Sequence, residues 1–476
     1  MTEEGRRAGF LPAWWFAAAY AVLLLCIPTR LIVGPFGAPG TPANLFAIAL
    51  LLWWVCAQLG GLTSVRGVTP LRIATGLLLT SVLVSFSSGH FRGWTQPANI
   101  HQRTDRRWQA ASTPEVISIV SSAADRGLLA LAGWMGIMLL TAEGMRSWRD
   151  LEKLVSWIAA AGAVVAAMGV VQYFTRINVA SFVRIPGLTS LLDFGEALSR
   201  SQLNRIVSTS AHPIELGVAM ASILPLALHV ALHSRKVLPW VTVGLLGAAA
   251  LMSVSRSAIV VAGVALFVLW LGWPVKQKLI ALAVAPVLAL GARAAFPGLL
   301  GSITSLFRGL SGDPSITGRT DDYPLIFGLI ADSPLFGQGL FTFVPTVYRT
   351  VDNQGLILLL ELGIVGTVAF VGLVITLVVG AWHPSRHGGT PRQAHLGMAA
   401  SASTLGIITS YVTFDALSFR QVAGLTFLYL GLCGAVWQLS RFSEATSTFR
   451  SPTEPSASPV APRRARTDED RRPATP

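Results

Sequence analysis

Apolar runs of about 20 residues recur along almost the whole chain, and they restrict its fold to one class. Hydrophobic residues make up 52% of the 476 residues and charged residues only 12%, whereas soluble proteins carry about 25% charged residues. Backbone polar groups in lipid need partners within their own segment, so each run is predicted to be a helix. We therefore expect an all-α polytopic membrane protein with about twelve transmembrane helices. The runs span residues 13–33, 43–62, 73–89, 127–143, 154–174, 214–232, 238–254, 257–274, 279–296, 355–382, 395–414 and 421–440.

The polar segments between the runs predict how the chain is organised. We expect a cytoplasmic N-terminus at residues 1–12, a transmembrane bundle at 13–440 and a large outer loop at 297–354, between the ninth and tenth spans. The tail at 441–476 is rich in Pro, Ser, Thr and Arg, a composition typical of disorder. The first run lacks a small-residue cleavage site, so it is interpreted as a retained span.

Lysine and arginine in the short loops predict the orientation of the bundle. All four lysines lie on the side that also holds both predicted termini, and the positive-inside rule assigns that side to the cytoplasm. The long loops at about 90–126, 175–213 and 297–354 then lie outside. These loops also carry arginines, which topology does not explain because long loops influence orientation little.

Several function classes are not expected from this sequence. The net charge of +13 suits an anionic membrane, and we expect no nucleic-acid partner. There is no Walker loop and no GxGxxG motif, so ATP-driven transport by this chain alone is not predicted. The three cysteines fall inside apolar runs and the histidines show no clear metal-ligand spacing, so we expect no disulfide framework, metal site or cofactor.

Two arginine-containing clusters lie at the predicted outer boundary. Arg256 stands in a tight turn, Ser253 to Ala258, between two spans, where an arginine is costly without an anionic partner. It is predicted either to snorkel to the interface or to bind a phosphate group. Arg319 lies in the segment 318–322 beside Asp322, and the two form either a structural ion pair or part of a binding site.

Two further clusters combine acidic and basic groups with the start of a span. His212 and Glu215 are three residues apart and share a face if a helix begins at Pro213. They are interpreted either as a polar helix start or as a substrate-facing acid or base. Asp352 directly precedes an apolar run, where it is either a helix N-cap or a general base.

The segment that begins at Asp352 resembles a signature of the O-antigen ligase family, within the larger group of Wzy-type polysaccharide polymerases. That signature is a His, then Asn, Ser or Gln, nine residues, Gly, two residues, and Gly, Thr or Tyr. Here Asp352 and Asn353 are followed by nine residues, Gly363, two residues and Gly366, so the spacing matches while Asp replaces His. Three other segments also look like the family: residues 255–258, 318–319 and 332–339.

This resemblance implies a metal-independent inverting glycosyltransferase of the bacterial cytoplasmic (inner) membrane. The donor would be a glycan on a polyprenyl diphosphate carrier. The acceptor would be a hydroxyl of a glycan, lipid or protein at the outer face. Outer arginines would bind the diphosphate, because guanidinium forms bidentate hydrogen bonds with phosphate.

The resemblance also suggests roles for individual residues. Asp352 stands in place of the family histidine as general base, and His212 is the alternative base. Peptidoglycan polymerases of the SEDS family, which share this general architecture, also use an acidic residue in an outer loop. The expected diphosphate ligands are Arg205, Arg256 and Arg319, and the expected supporting residues are Asn353, Glu215 and Asp322.

Two alternative functions remain open from the sequence. A Wzy-type polymerase would join lipid-linked repeat units, so that donor and acceptor are both lipid-linked. A secondary transporter or lipid-glycan flippase should carry ionisable residues at mid-span and internal repeats. The charges here gather at the predicted outer boundary, which favours the enzyme over the transporter.

Replacing the outer arginines by lysine tests the predicted diphosphate site. In Arg256→Lys and in Arg319→Lys, an ammonium group replaces the bidentate guanidinium group. Use of the lipid-linked donor should therefore weaken in each variant. The measurement is donor kinetics with the lipid-linked glycan. Unchanged donor kinetics would count against diphosphate binding at these positions.

Overall fold

A computed structural model describes most of the predicted bundle. It covers residues 12–61, 67, 69–94, 114–191, 205–295, 323–345, 347–348, 350–382 and 389–448. Arg319 and Asp322 lie outside the described residues, as do most of the basic tail and the N-terminal half of the large loop.

The described part of the chain is helical apart from short turns and a minimal sheet. Its helices are α1 (Ala13–Cys26), α2 (Pro42–Leu59), α3 (Pro70–Phe91), α4 (Pro114–Gly144), α5 (Trp148–Thr175), α6 (Pro213–Leu232), α7 (Leu238–Met252), α8 (Arg256–Gly272), α9 (Val275–Ala295), α10 (Tyr323–Asp332), α11 (Gln354–Trp382), α12 (Pro391–Thr409) and α13 (Arg420–Thr448). Strands β1 (Leu31–Ile32) and β2 (Thr189–Ser190) pair antiparallel, with Leu31 opposite Ser190.

The all-α membrane class is confirmed by these helices. Seven of the described helices are long and apolar enough to cross a membrane, namely α2, α3, α4, α5, α6, α11 and α13. Helices α1, α7 and α8 are apolar but shorter. Each predicted run contains a helix, and α10 lies in the large loop; the count of twelve crossings stays a prediction.

Small residues let the central helices approach closely. A Cβ atom on Gly133 or Gly136 of α4 would lie 2.0 Å from the side-chain oxygen of Asn44 and 2.1 Å from the carbonyl oxygen of Ala47, respectively. Such close backbone approach is the usual way in which membrane helices gain packing energy, since lipid supplies no hydrophobic drive between them. Helix α4 thereby sits between α2 and α13, in the interior of the bundle.

The outer helices of the bundle expose large apolar side chains. Leu52, Leu77, Phe267 and Leu282 are each more than half exposed. A surface of this kind suits a hydrocarbon solvent, whereas on a soluble protein it would mark an aggregation or binding patch. The exposed apolar faces of α2, α3, α8 and α9 therefore support the multi-pass arrangement.

Loops predicted for the same side of the membrane contact one another. At one end, hereafter the site end, β1 pairs with β2, and the N–H of Gln354 donates to the carbonyl of Phe414 at 3.2 Å. At the opposite end, Arg72 donates through two nitrogens to the Glu143 carboxylate, each at 2.7 Å. These contacts bring together loops that were predicted to share a side, while the number of crossings and the placement of the loops stay predictions.

The described C-terminal part of the large loop has its own apolar core. Ile326 and Leu329 of α10 pack with Phe343, Tyr348 and Val351, all of which are buried. The same cluster includes side chains from the ends of α3, α4 and α11. The loop is therefore held against three helices, and it delivers the chain to the start of α11 in a defined position.

Helix α11 is broken at Gly363, where the backbone adopts φ 67° and ψ −172°. The segment 332–339 supplies partners for the backbone groups that the break exposes. The N–H groups of Ile364 and Val365 donate to carbonyls of that segment at 2.8 and 3.1 Å, and the Glu361 carbonyl accepts from the N–H of Gln338 at 3.0 Å. The signature glycine therefore marks a helix break that is filled by another part of the chain.

Replacing Gly363 by alanine should destabilise the protein. A Cβ atom there would lie 2.4 Å from the backbone of Leu335, and a backbone with φ 67° and ψ −172° costs a residue other than glycine about 1–3 kcal/mol. Gly372→Ala, in the same helix, is the matched control because a Cβ atom there meets nothing within 4 Å. Thermal unfolding in detergent should show a large loss for Gly363→Ala alone; equal midpoints for the two variants would contradict the broken-helix account.

Candidate functional site

The start of α11 shows that Asp352 is not its cap. Asn353 supplies the cap, because its Oδ1 accepts from the N–H of Leu356 at 3.2 Å and its carbonyl accepts from Ile357 at 3.1 Å. The cap position that the sequence offered to Asp352 is therefore occupied by Asn353. Asp352 lies one residue before the cap and is half-buried.

Gln354 attaches the start of α11 to the loop between α12 and α13. Its N–H donates to the carbonyl of Phe414 at 3.2 Å, and its side-chain oxygen accepts from the N–H of Leu417 at 2.8 Å. The side chain is buried, so these bonds are shielded from water. The loop residue Asp415 is thereby brought close to Asp352, and the two carboxylates interact electrostatically.

His212 caps the start of α6 with its imidazole ring. The ring nitrogen Nδ1 accepts a hydrogen bond from the N–H of Ile214 at 3.2 Å. A neutral imidazole carries its proton on one nitrogen only, so an accepting Nδ1 places the proton on Nε2. His212 therefore offers an N–H donor, and it cannot take up a proton on Nδ1 without losing the cap.

Arg205 connects the segment before α6 to the turn between α7 and α8. Its Nε and Nη2 groups donate to the carbonyl oxygens of Ser253 and Val254, each at 3.2 Å. These bonds use two of the five N–H donors of the guanidinium group. Arg205 therefore holds the turn in place, and its other guanidinium N–H groups can donate to another acceptor.

The turn that Arg205 holds is strained and directs Arg256. Val254 has φ 48°, a conformation that costs a β-branched residue about 1–3 kcal/mol. Ser255 caps α8 by accepting from the N–H of Ala258 at 3.4 Å, and Arg256 is the first residue of that helix. A cation at the positive end of a helix dipole is unfavourable by itself, so this position favours an anion nearby.

The charges at the site end influence one another. Burial lowers the pKa of His212, the positive charge of Arg205 lowers it further, and the negative charge of Asp352 acts in the opposite sense. Burial likewise lowers the pKa of the Arg205 guanidinium. The structure therefore brings Arg205, His212 and Asp352 together from three distant parts of the sequence, with the histidine held neutral at neutral pH.

Asp415 is a site residue that the sequence analysis missed. Burial raises the pKa of Asp415 to about 6, the side chain of Ser418 donates to the carboxylate and opposes this shift, and the charge of Asp352 adds to it. The sequence offers no local motif around Asp415, which follows an apolar run in a short loop. Its role becomes visible only from the contacts of Gln354.

The carboxylate of Glu215 is held by backbone hydrogen bonds inside the protein. Its two carboxylate oxygens accept from the backbone N–H groups of Ala211 and Gln421, each at 2.8 Å, and the side chain is fully buried. Gln421 also donates to Thr209 at 3.2 Å. These contacts favour the interpretation of Glu215 as part of a polar helix start, which fixes α6 to α13, over a role as acid or base.

Three histidines meet at the end of the bundle opposite the site end. His229, His233 and His395 place one potential ligand atom each within 4.8 Å of one another, although the sequence showed no clear metal-ligand spacing. His229 and His233 are four residues apart on α6, a spacing that puts them on one helix face. The spacing of His229 and His233 was visible in the sequence, whereas His395 lies 166 residues from His229.

Comparison with known protein families identifies part of the chain. Residues 241–371 match the profile of the family described as O-antigen ligase. This stretch includes Arg256, Asp352 and the glycine that breaks α11. A search of curated proteins returns no match. This part of the chain therefore matches the family whose signature the segment after Asp352 resembles.

Proposed function

We propose that this protein transfers a glycan from a polyprenyl diphosphate carrier to an acceptor hydroxyl, with inversion at the anomeric carbon. The O-antigen ligase domain indicates ligase- or polymerase-like glycan transfer, and the donor and the reaction belong to the proposal. The observation that carries it is the position of Asp352. This carboxylate lies outside the helix cap and is electrostatically coupled to His212 and Asp415.

In the proposed reaction, Asp352 accepts the proton of the acceptor hydroxyl. The hydroxyl oxygen forms the new bond to the anomeric carbon, and the bond from that carbon to the diphosphate oxygen breaks on the opposite face. The diphosphate leaves with the electron pair. A positioned general base of this kind contributes about 10²–10⁴-fold to rate. Asp415 assists because a second negative charge stabilises the proton that arrives at the site.

His212 is proposed as a hydrogen-bond donor and not as the base. Its Nδ1 is occupied by the Ile214 N–H, and burial together with Arg205 disfavours the imidazolium form. The remaining Nε2–H suits an oxygen of the donor or acceptor. This assignment favours Asp352 in the choice of base that the sequence left open.

Arg256, together with the unused N–H groups of Arg205, is proposed to bind the leaving diphosphate. Arg205 donates to the carbonyl oxygen of Val254, and Arg256 is the first residue of the helix after that turn, so both arginines belong to the same turn region. Preorganised cations of this kind stabilise charge that develops on the leaving group. Arg319 and Asp322 remain proposed members of the site on the basis of the family resemblance alone.

The same residues suit a polymerase that uses a second lipid-linked repeat as acceptor. The two reactions share the base and the diphosphate site and differ only in the acceptor. Purified protein supplied with lipid-linked single repeats and no other acceptor distinguishes them, because chain growth occurs only with a polymerase. The donor for this assay is the lipid-linked glycan that accumulates when the protein is removed from its host.

Replacing Asp352 by asparagine should abolish transfer and leave folded protein in the membrane. The amide keeps the shape of the side chain but cannot accept the proton, so we expect a loss of about 10²-fold or more. Asp332→Asn is the matched control, since its exposed side chain lies at the same end of the bundle. Product formation is measured with and without EDTA, which also tests the expectation that no metal is required; full activity in Asp352→Asn would sink the assignment.

The pH dependence of transfer should report Asp415. As pH falls through about 6, Asp415 takes up a proton and its negative charge beside Asp352 disappears, so the rate should fall. Asp415→Asn should be slow throughout and lack this inflection. His212→Asn should retain it, because asparagine preserves the helix cap and leaves Asp415 and Asp352 unchanged. If the inflection near pH 6 survives in Asp415→Asn, it arises from the titration of another group.

A further inference from the structure

Three histidines meet at the end of the bundle opposite the proposed active site. His229 is on the last turn of α6, His233 directly follows that helix as its C-cap, and His395 is on the first turns of α12. Their ring centroids are 4.6 to 5.1 Å apart, and the Nδ1 atoms of His229 and His395 approach to 2.9 Å. His229 and His395 are buried, and His233 is half-buried. Nothing in the proposed glycan transfer uses this group.

The geometry points to a binding site for a divalent transition-metal ion, with Zn²⁺ as the reference ion. Imidazole nitrogen is a preferred ligand of Zn²⁺, Cu²⁺ and Ni²⁺. Two nitrogens on one tetrahedral Zn²⁺ lie about 3.3 Å apart, since each Zn–N bond is about 2.0–2.1 Å long. The ligand atoms here all lie within 4.8 Å, so small side-chain shifts bring them onto one ion.

The hydrogen bonds around the cluster orient its rings. Nδ1 of His233 lies 2.9 Å from the carbonyl oxygen of His229, so that nitrogen carries the proton and donates. This bond leaves the lone pair of Nε2 of His233 for a ligand. A backbone carbonyl that fixes the tautomer of a metal-binding histidine is the usual second partner at such sites.

Trp273 controls whether His395 can bind an ion. Its indole N–H donates to Nε2 of His395 at 2.8 Å, which places the proton of that ring on Nδ1, facing Nδ1 of His229. Binding of an ion at Nδ1 requires this proton to move to Nε2, where the indole N–H now lies. The ion therefore competes with the Trp273 hydrogen bond, and removal of that bond should strengthen metal binding.

The surrounding charge is compatible with a bound cation. Arg392 is the positive group that acts on His229 from the start of α12, and its guanidinium is paired with Glu152 of α5. The half-buried His233 leaves a side of the cluster near solvent, from which a water molecule completes a four-coordinate site. The ion would join α6 to α12 across the bundle.

Zinc binding by the full-length protein in detergent tests this proposal. The protein is purified through a tag without histidine, stripped with EDTA, and titrated with Zn²⁺ against a chromogenic chelator. We expect one Zn²⁺ per chain and a higher unfolding temperature with Zn²⁺ than without it, because an ion that binds only the folded state stabilises it. His229→Asn and His395→Asn should each weaken binding at least tenfold and lose the thermal shift.

Two further variants make the result specific. His90→Asn removes an exposed histidine at the site end and should bind Zn²⁺ as the wild type does. Trp273→Phe keeps an aromatic ring but removes the competing N–H, and it should bind more tightly than the wild type. The proposal is overturned if the wild type takes up no Zn²⁺, if His229→Asn and His395→Asn bind like the wild type, or if Trp273→Phe fails to bind. Zn²⁺ binding by Trp273→Phe tests the proposed site even if a histidine variant does not fold.

Discussion

The break in α11 at Gly363 is the constraint on which the rest of the site depends. A helix interrupted within the apolar part of a membrane protein exposes backbone N–H and C=O groups that lipid cannot satisfy. The segment 332–339 supplies their partners, and Ser85 adds a hydrogen bond of 2.6 Å to the Glu361 carbonyl. Because the segment 332–339 continues into the buried loop core, the same contacts that satisfy the break also position the chain that leads to Asp352.

The position of the start of α11 determines the polar contacts at the site end. Asn353 takes the capping bond, and Asp352 lies one residue before it. Gln354 then fixes the loop that carries Asp415. Across the bundle, His212 uses one ring nitrogen for the cap of α6, and Arg205 uses two donors for the turn before α8. Each of these polar residues uses part of its hydrogen-bonding capacity within the fold, and the proposed site would use the rest for a substrate.

The sequence predicted the helices well because each apolar run must satisfy its own backbone, which is a local requirement. It also located Asp352 and the glycine pattern after it, although not the reason for the glycine. The partner of Gly363 is a segment about thirty residues earlier, and no local pattern shows that the two meet. Asp415 was missed for the same reason, since the bond that brings its loop to Gln354 joins residues 63 apart. Periodicity and charge predicted the helices, but they could not show which helix ends contact one another.

Helices α6 and α12 connect the proposed active site to the histidine group. Helix α6 begins at the His212 cap and ends with His229 and His233, whereas α12 begins near His395 and leads into the loop of Asp415. The two helices pack together along the bundle. An ion held by both at the opposite end would join the two helices without touching the groups of the proposed site.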